Sequence, residues 1–338
     1  MWFPTVRTRT GTDVFTERLV KGLRQRGIRA EIHWLPLRAE YAPWTVAIPR
    51  PPDWANVVHV NSWLPKRFLP RQAPIVATVH HAVHHPEARA YKGVVRAAYH
   101  RSWIAPNERR MLGRADVVVA VSEFVAKSSM EVLLDVPMEI IYNGVDTSIF
   151  CPSPIAQPSR DTFRVLYVGS WTKRKGIDLL PGIFRDLGEE FELRYTGRQK
   201  LNVNAPMPAN ARNIGRLLGD AAVVAAMQDA DVLLLPSRSE GHPLVAIEAM
   251  ACGLPVIAMR GSSLEEAISD GETGLLCERE SPMAFVLALR KLAANEPLRA
   301  ALSRQATASV AARFSEAAMI TGYLAAYAKA ICRFGTAK

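Results

Sequence analysis

The chain has 338 residues, enough at roughly 150 per domain for two domains. Hydrophobic residues make up 49% and charged residues 22%, a balance that excludes a disordered or fibrous chain. Lys and Arg number 42 against 32 acidic residues, a formal charge of +10, and residues 1–150 carry most of the excess with 20 basic and 13 acidic side chains. A basic first half fits an anionic partner: nucleic acid, a membrane surface or a phosphate-bearing substrate. Four cysteines, Cys151, Cys252, Cys277 and Cys332, stand far apart without a CxxC pair. That spacing argues against a zinc site or a disulfide scaffold and fits a reducing cytoplasm. No apolar run approaches the ~20 residues that cross a bilayer, and Met1-Trp2-Phe3-Pro4 lacks signal-peptide architecture. The expected location is the cytoplasm, with peripheral attachment to the inner face of its membrane as the alternative.

In chain order, Met1 to Phe3 leave little room for a strand before the Thr10-Gly11-Thr12 loop, so either the first strand is brief or the start of the chain lies upstream. Apolar runs at 57–60, 75–79 and 117–121 read as buried strands of the first half, and runs at 165–168, 191–195, 232–235 and 255–258 as those of the second. Strands this apolar, separated by helix-length segments, imply parallel sheets covered on both faces. Each half is then a doubly wound α/β unit that binds ligands at the carboxyl ends of its strands. The break falls near Asn143-Gly144 and the Pro- and Ser-rich stretch 151–160. A nicotinamide dinucleotide site would need Gly-x-Gly-x-x-Gly after an early strand. The chain offers only Thr10-Gly11-Thr12, and Val168-Gly169 followed by the basic loop Lys173-Arg174-Lys175-Gly176.

Several residue groups carry chemistry. His80 follows the strand at 75–79, and with His81, His84 and His85 it forms a local cluster whose only nearby carboxylate is Glu87; a structural role is the alternative to a site, and metal is not expected. Residues 89–114 interleave Arg89, Lys92, Arg96, Arg101, Arg109, Arg110 and Arg114 with Tyr91, Val94, Val95, Tyr99, Trp103 and Ile104. This pattern suits an anionic membrane surface with a lipid-linked acceptor, or equally a solvated helix whose apolar stripe packs inward. No recognised nucleic-acid module is present, so nucleic acid is not an expected partner. Asp229-Ala230-Asp231 has the Asp-x-Asp spacing of a metal motif, but its position entering a strand favours a helix-end role. The richest stretch runs from Pro236 to Pro255: a buried strand ends, a glycine turn follows, and a helix begins with Glu248 one turn in. Glu240 and Glu248 across such a junction can face one cleft, with helix N-terminal N–H groups between them suited to a phosphate. Taken singly, each of these acids is as well explained as a solvated or capping residue.

This stretch resembles the Glu-x7-Glu signature of retaining nucleotide-sugar glycosyltransferases of family 4. Further segments match in order: Arg114-Ala115-Asp116-Val117 with Val121-Ser122-Glu123, then Ile140 through Phe150 around Asn143-Gly144-Val145-Asp146. Asp229-Ala230-Asp231 and Ala312-Arg313-Phe314-Ser315 complete the series. The resemblance implies a GT-B fold, with two Rossmann-like doubly wound domains facing a central cleft. It places the acceptor domain at 1–150, the donor domain at 151–315, and a C-terminal helix at 316–338 that crosses back to the first domain. By the same resemblance Glu248 accepts from the donor ribose and Glu240 from the transferred sugar. Gly241, His242, Pro243 and Leu244 hold the sugar and distal phosphate through the backbone, while Lys175 and Arg174 grip the diphosphate. Gly11 and Gly169 line the donor, and His80 touches its sugar. The family's usual Gly-Arg pair is Gly169-Ser170 here. The implied reaction moves a sugar from a UDP- or GDP-sugar to a hydroxyl of a glycan or lipid-linked acceptor with retention, in envelope or exopolysaccharide assembly. Cations of the chain neutralise the diphosphate, so no metal or other cofactor is required. A sugar-nucleotide-binding scaffold of weak activity and a GT-B-fold epimerase or phosphorylase are the competing readings.

Overall fold

The computed structural model describes residues 1–70, 72–89, 91–154, 160–197 and 206–336. Residues 155–159 of the Pro- and Ser-rich stretch, and the side chains of Glu87 and Arg89, lie outside the described residues. The chain divides into two compact units, one of Met1–Asn143 with Glu316–Lys338 and one of Gly144–Ser315. Residues 144–150 therefore group with the second unit rather than the first. The reason is local: Val145 N donates to Phe314 O at 2.9 Å, and Phe150 is fully buried.

The first unit holds a six-stranded parallel sheet of β1 (Trp2–Val6), β2 (Glu31–Leu35), β3 (Val58–Asn61), β4 (Ile75–Val79), β5 (Val117–Ala120) and β6 (Met138–Ile140), in the order β2-β1-β3-β4-β5-β6. The brief first strand is present. β1 is buried along its whole length and pairs with β2 from Trp2↔Glu31 to Val6↔Leu35. The second unit holds β7 (Phe163–Tyr167), β8 (Phe191–Tyr195), β9 (Ala211–Asn213), β10 (Val232–Leu235), β11 (Val256–Met259) and β12 (Leu275–Cys277), ordered β12-β11-β10-β7-β8-β9 and again parallel. That is the mononucleotide-binding order of a doubly wound sheet, with its switch point between β7 and β10. The central strands are continuous apolar runs because helices cover both faces. The strands missing from the sequence reading, β2, β6, β9 and β12, are edge or near-edge strands whose polar or very short segments carry a weak pattern.

In the first unit the C-terminal helix Glu316–Thr336 packs on the sheet through Met319, Ile320, Tyr323 and Tyr327, together with Phe3, Phe15, Val76 and Val119. It lies so close to the helix Gly11–Gln25 that a Cβ on Gly22 would sit 2.1 Å from Ile320 Cδ1, so only glycine fits there without a shift. The same contact surface buries polar atoms. His59 lies 2.7 Å (Nδ1) from the Tyr327 hydroxyl and 2.8 Å (Nε2) from Thr78 Oγ1, which is itself 3.2 Å from the Tyr323 hydroxyl. Paired this way, the imidazole is tolerated in the core.

Burial pushes His59 down to about 3, and burial with the nearby Arg313 charge does the same to His242 in the second unit. Both stay neutral in the folded chain, whereas an unfolded histidine takes up its proton near pH 6.5. Between those values the unfolded state binds more protons, so stability present above pH ~6.5 is lost as pH falls, each histidine adding a slope of ~1.4 kcal/mol per pH unit. Urea unfolding from pH 7 to 4 should show the midpoint falling steadily; replacing His59 with Gln should flatten that dependence even if the pH 7 midpoint drops.

Candidate active site

The loops that leave β7 and β10 diverge at the switch point of the second sheet, the place where such sheets bind ligands. The loop after β7 carries Gly169 and turns through Lys173–Lys175 to Gly176; the loop after β10 runs from Pro236 to Pro243. Gly176 is left-handed (φ +72°), and a Cβ there would lie 2.0 Å from the Pro236 carbonyl oxygen. Glycine thus lets the two loop backbones touch. Arg238 N donates to Arg174 O at 2.9 Å, and the Arg174 guanidinium returns a bond to Ser239 O at 2.5 Å.

The Arg238 side chain locks the pair of loops. It is only 3% exposed. It donates to both Asp178 oxygens (2.6 and 3.0 Å), to both Glu280 oxygens (2.6 and 2.7 Å) and to the Lys173 carbonyl. The planar guanidinium fork suits this two-sided bidentate grip, and its partners make a buried cation tolerable.

Held this way, Lys175 Nζ reaches Glu240 Oε1 at 2.5 Å, and Arg174 Nη1 lies 3.6 Å from Glu240 Oε2. Glu240 is 5% exposed, with its N–H on Ser262 Oγ (3.2 Å) and its carbonyl accepting from Ser263 Oγ (3.1 Å). Burial and the Glu240 charge push the neighbouring Tyr167 phenol above its ordinary range. The Tyr167 hydroxyl donates to Ser170 O at 3.1 Å, and Gly169 N donates to Thr196 Oγ1 at 3.1 Å, so the loop after β7 is fixed at its root. Gly241, His242 and Pro243 lead into the helix Leu244–Ala251, whose N-cap Pro243 offers no side-chain cap. The helix N-terminus thereby keeps N–H groups that can face an anion. Glu248 sits one turn in and is 7% exposed. His242 packs its ring 5.0 Å from Phe314 with both ring nitrogens buried, so any ligand contact from this position falls to its backbone.

Asp229 and Asp231 tie strands together. Asp229 ends the helix Gly219–Gln228 and pairs with Arg160 and Arg164 at 2.7 Å each, and with Arg194. Asp231 accepts from Arg164 N at 2.7 Å, across β7.

In the first unit, His80 follows β4 and places Nε2 2.9 Å from Asn61 Oδ1. Since Asn61 Nδ2 donates to Thr5 Oγ1 (2.7 Å), the amide oxygen faces the imidazole and Nε2 carries the hydrogen, a tautomer assigned from the network. Burial lowers His80 to about 3, so it is neutral, with Nδ1 as an acceptor and Phe15 edge-on at 4.6 Å. Gly11 opens the helix Gly11–Gln25, and a Cβ there would meet nothing within 4 Å. Packing of the chain itself therefore does not require a glycine at this position.

The carboxylate that serves the histidine cluster is Glu108, which sequence reasoning missed. It comes from the helix Ala105–Leu112, accepts from Ser62 Oγ at 2.6 Å and holds His84 Nε2 at 2.6 Å. Among the described residues no three His, Cys, Asp or Glu side chains gather as a metal site. Residues 89–114 divide their apolar side chains. Ile104, Ala105, Met111 and Leu112 are buried, and Trp103 Nε1 donates to Glu40 O (2.7 Å), while Val94 and Val95 are 87% and 85% exposed. No helix among the described residues is long and apolar enough to cross a membrane.

Comparisons with known proteins agree with this architecture. Residues 154–309 match the family model "Glycosyl transferases group 1", and residues 51–149 match "Glycosyltransferase Family 4". A D-inositol 3-phosphate glycosyltransferase of Acidothermus cellulolyticus is 31% identical over 85% of this chain and 70% of its own length. An uncharacterised glycosyltransferase of Methanocaldococcus jannaschii is 30% identical over 65% of this chain, which spans 60% of that protein's length. Among solved structures, sucrose-phosphate synthase of Thermosynechococcus elongatus superposes with a TM-score of 0.75 over 96% of this chain and 98% of its own, at 19% identity. Anabaena HepE in complex with UDP-glucose gives 0.70 over 96% and 99%, at 15% identity.

Replacing Arg238 with Met should cost ~2 kcal/mol in urea unfolding, less than the ~3–5 kcal/mol of a fully buried pair because Asp178 and Glu280 are half-exposed. An unchanged midpoint would show that the two loops are held without this guanidinium. With both family models matched in sequence order on two doubly wound sheets, the chain belongs to the group 1 glycosyltransferases of family 4, which have the GT-B fold.

Proposed function

We propose that this chain transfers a sugar from a nucleoside-diphosphate sugar to an acceptor hydroxyl with retention of anomeric configuration. The observation that carries the reading is the meeting of Lys175 and Arg174 with Glu240 at the switch point, beside an uncapped helix N-terminus that leads to Glu248. Two cations and a row of N–H groups are what a departing nucleoside diphosphate needs, since its charge grows as the glycosidic bond breaks. On this reading Glu248 accepts from ribose hydroxyls and Glu240 from hydroxyls of the transferred sugar. By the family resemblance His80 is read as a further sugar contact, and its neutral imidazole leaves Nδ1 as an acceptor.

Among the residues read as the site, no side chain presents itself as a covalent nucleophile, and the reading is front-face substitution. The bond from the anomeric carbon to the diphosphate oxygen breaks, and the acceptor oxygen bonds to the same face. The acceptor proton passes to an oxygen of the leaving diphosphate. Lys175 and Arg174 take the neutralising part that a metal ion plays elsewhere, so the reaction is read as metal-independent.

Relatives support this class of reaction. One is named a D-inositol 3-phosphate glycosyltransferase, another, from Mycobacterium leprae, a phosphatidyl-myo-inositol mannosyltransferase, and HepE was solved with UDP-glucose. The acceptor is read as a glycan or a lipid-linked molecule of envelope or exopolysaccharide assembly. A membrane-facing patch fits that acceptor. Val94 and Val95 stand exposed in the basic segment, and Leu37, Tyr41, Trp44 and Ile48 are exposed nearby in sequence to Glu40, which binds Trp103; the Trp44 ring lies 6.2 Å from that of Trp103.

A thermal-shift panel of UDP, GDP and their sugar conjugates, with and without EDTA, tests the donor site, because a ligand of the native state raises Tm by mass action. The expected result is a shift with one base that survives EDTA and shrinks in Lys175→Ala. No shift with any nucleotide would favour a scaffold without turnover. Sedimentation with vesicles tests the surface: binding to anionic but not zwitterionic lipid should fall in V94D/V95D, and equal binding in that variant would remove the patch.

A further inference from the structure

The residue read as a sugar contact is engaged with side chains of the chain itself. Glu240 is almost fully buried, and its carboxylate lies 2.5 Å from Lys175 Nζ and 3.6 Å from Arg174 Nη1, the two cations read as the diphosphate clamp. The Arg238 lock and the Gly176 approach leave the loops little freedom to separate. A diphosphate that reaches Lys175 must therefore share or take this cation from Glu240.

We infer that Glu240 acts as an internal counter-anion that sets the clamp to prefer the nucleotide sugar over the bare nucleoside diphosphate. The reason is the cost of a buried carboxylate that loses its closest cation. When the ligand carries a sugar, its hydroxyls donate to Glu240 and replace the bonds that Lys175 gives up. When the ligand is the bare nucleoside diphosphate, no hydroxyl arrives. The charge of Glu240 is then left with weaker compensation beside a newly bound anion, and like charges in a low-dielectric site repel strongly. One carboxylate thereby serves two ends of the turnover: it holds Lys175 in place before the donor binds, and it weakens the hold on the product after the sugar has left. The residue that recognises the sugar is also the one that reports its departure.

This inference rests on the donor-site reading above, and titration calorimetry separates the two. The full-length chain is titrated with UDP and UDP-glucose, and with GDP and GDP-mannose, as wild type, E240Q, K175M and the double variant. On the wild type, the sugar conjugate of the preferred base should bind more tightly than the bare diphosphate. E240Q keeps the shape and removes the charge, and it should bind the bare diphosphate roughly tenfold more tightly than the wild type, with no such gain for the sugar conjugate. The gain should vanish in E240Q/K175M. If the wild type and E240Q bind the bare diphosphate equally, or E240Q binds it more weakly, the counter-anion role is wrong while the donor site stands. If no nucleotide binds any of the four proteins, the donor site itself fails, and this inference with it. If E240Q does not fold, a wild type that binds the bare diphosphate as tightly as its sugar conjugate still overturns the proposal.

Discussion

Two loops from different strands can carry like charges side by side only if every one of those charges has a partner. In the second unit that requirement is met by a chain of ion pairs: Asp178 and Glu280 on Arg238, then Lys175 and Arg174 on Glu240. The backbone bonds between residues 174 and 238–239 follow from it, and so does the left-handed Gly176, whose missing Cβ lets the loops close up. Remove the pairing, and a site of three adjacent cations would push itself apart.

The first unit solves a different problem, that of fastening a distant C-terminal helix to its sheet. Apolar burial supplies most of the attraction, but apolar surface alone does not fix rotation or register. Gly22 under Ile320 sets the distance, and the chain from Tyr327 through His59 to Thr78 and Tyr323 sets the orientation. Buried hydrogen bonds of this kind cost little when complete and much when one member is removed. At the carboxyl ends of the same strands, Thr5, Asn61 and His80 form a second polar chain that assigns the His80 tautomer. His59 and His80 thus lie on adjacent strands and are told apart by their partners, not by their residue type.

The charge-rich segments show why sequence pattern alone divides function from structure poorly. Lys173-Arg174-Lys175 reads as a solvated run until its partner 65 residues away is known. Asp229-Ala230-Asp231 has a metal-binding spacing, yet three arginines from β7, β8 and the preceding loop occupy Asp229. Residues 89–114 hold apolar side chains that are partly core and partly exposed: Val94–Tyr99 buries none of its residues, whereas the π-turn His100–Ile104 continues into Ala105–Leu112, which buries Ala105, Met111 and Leu112.

By itself, the sequence determined what depends on local order: long apolar strands, the helix-length spacing between them, the glycine and proline turns, and the contiguous 236–255 stretch that carries Glu240, the helix start and Glu248. Those are near-neighbour properties of the chain, so near-neighbour patterns reveal them. The edge strands β2, β6, β9 and β12 escaped because a strand with one free edge or a length of three residues needs no continuous apolar run. The tertiary structure alone decided which charges meet. Lys175 with Glu240, Arg238 with Asp178 and Glu280, Glu108 with His84 and Ser62, and His59 with Tyr327 are separated by 24 to 268 residues. Their pairing follows from the order of strands in each sheet, which brings side chains far apart in sequence together at the carboxyl ends of the strands.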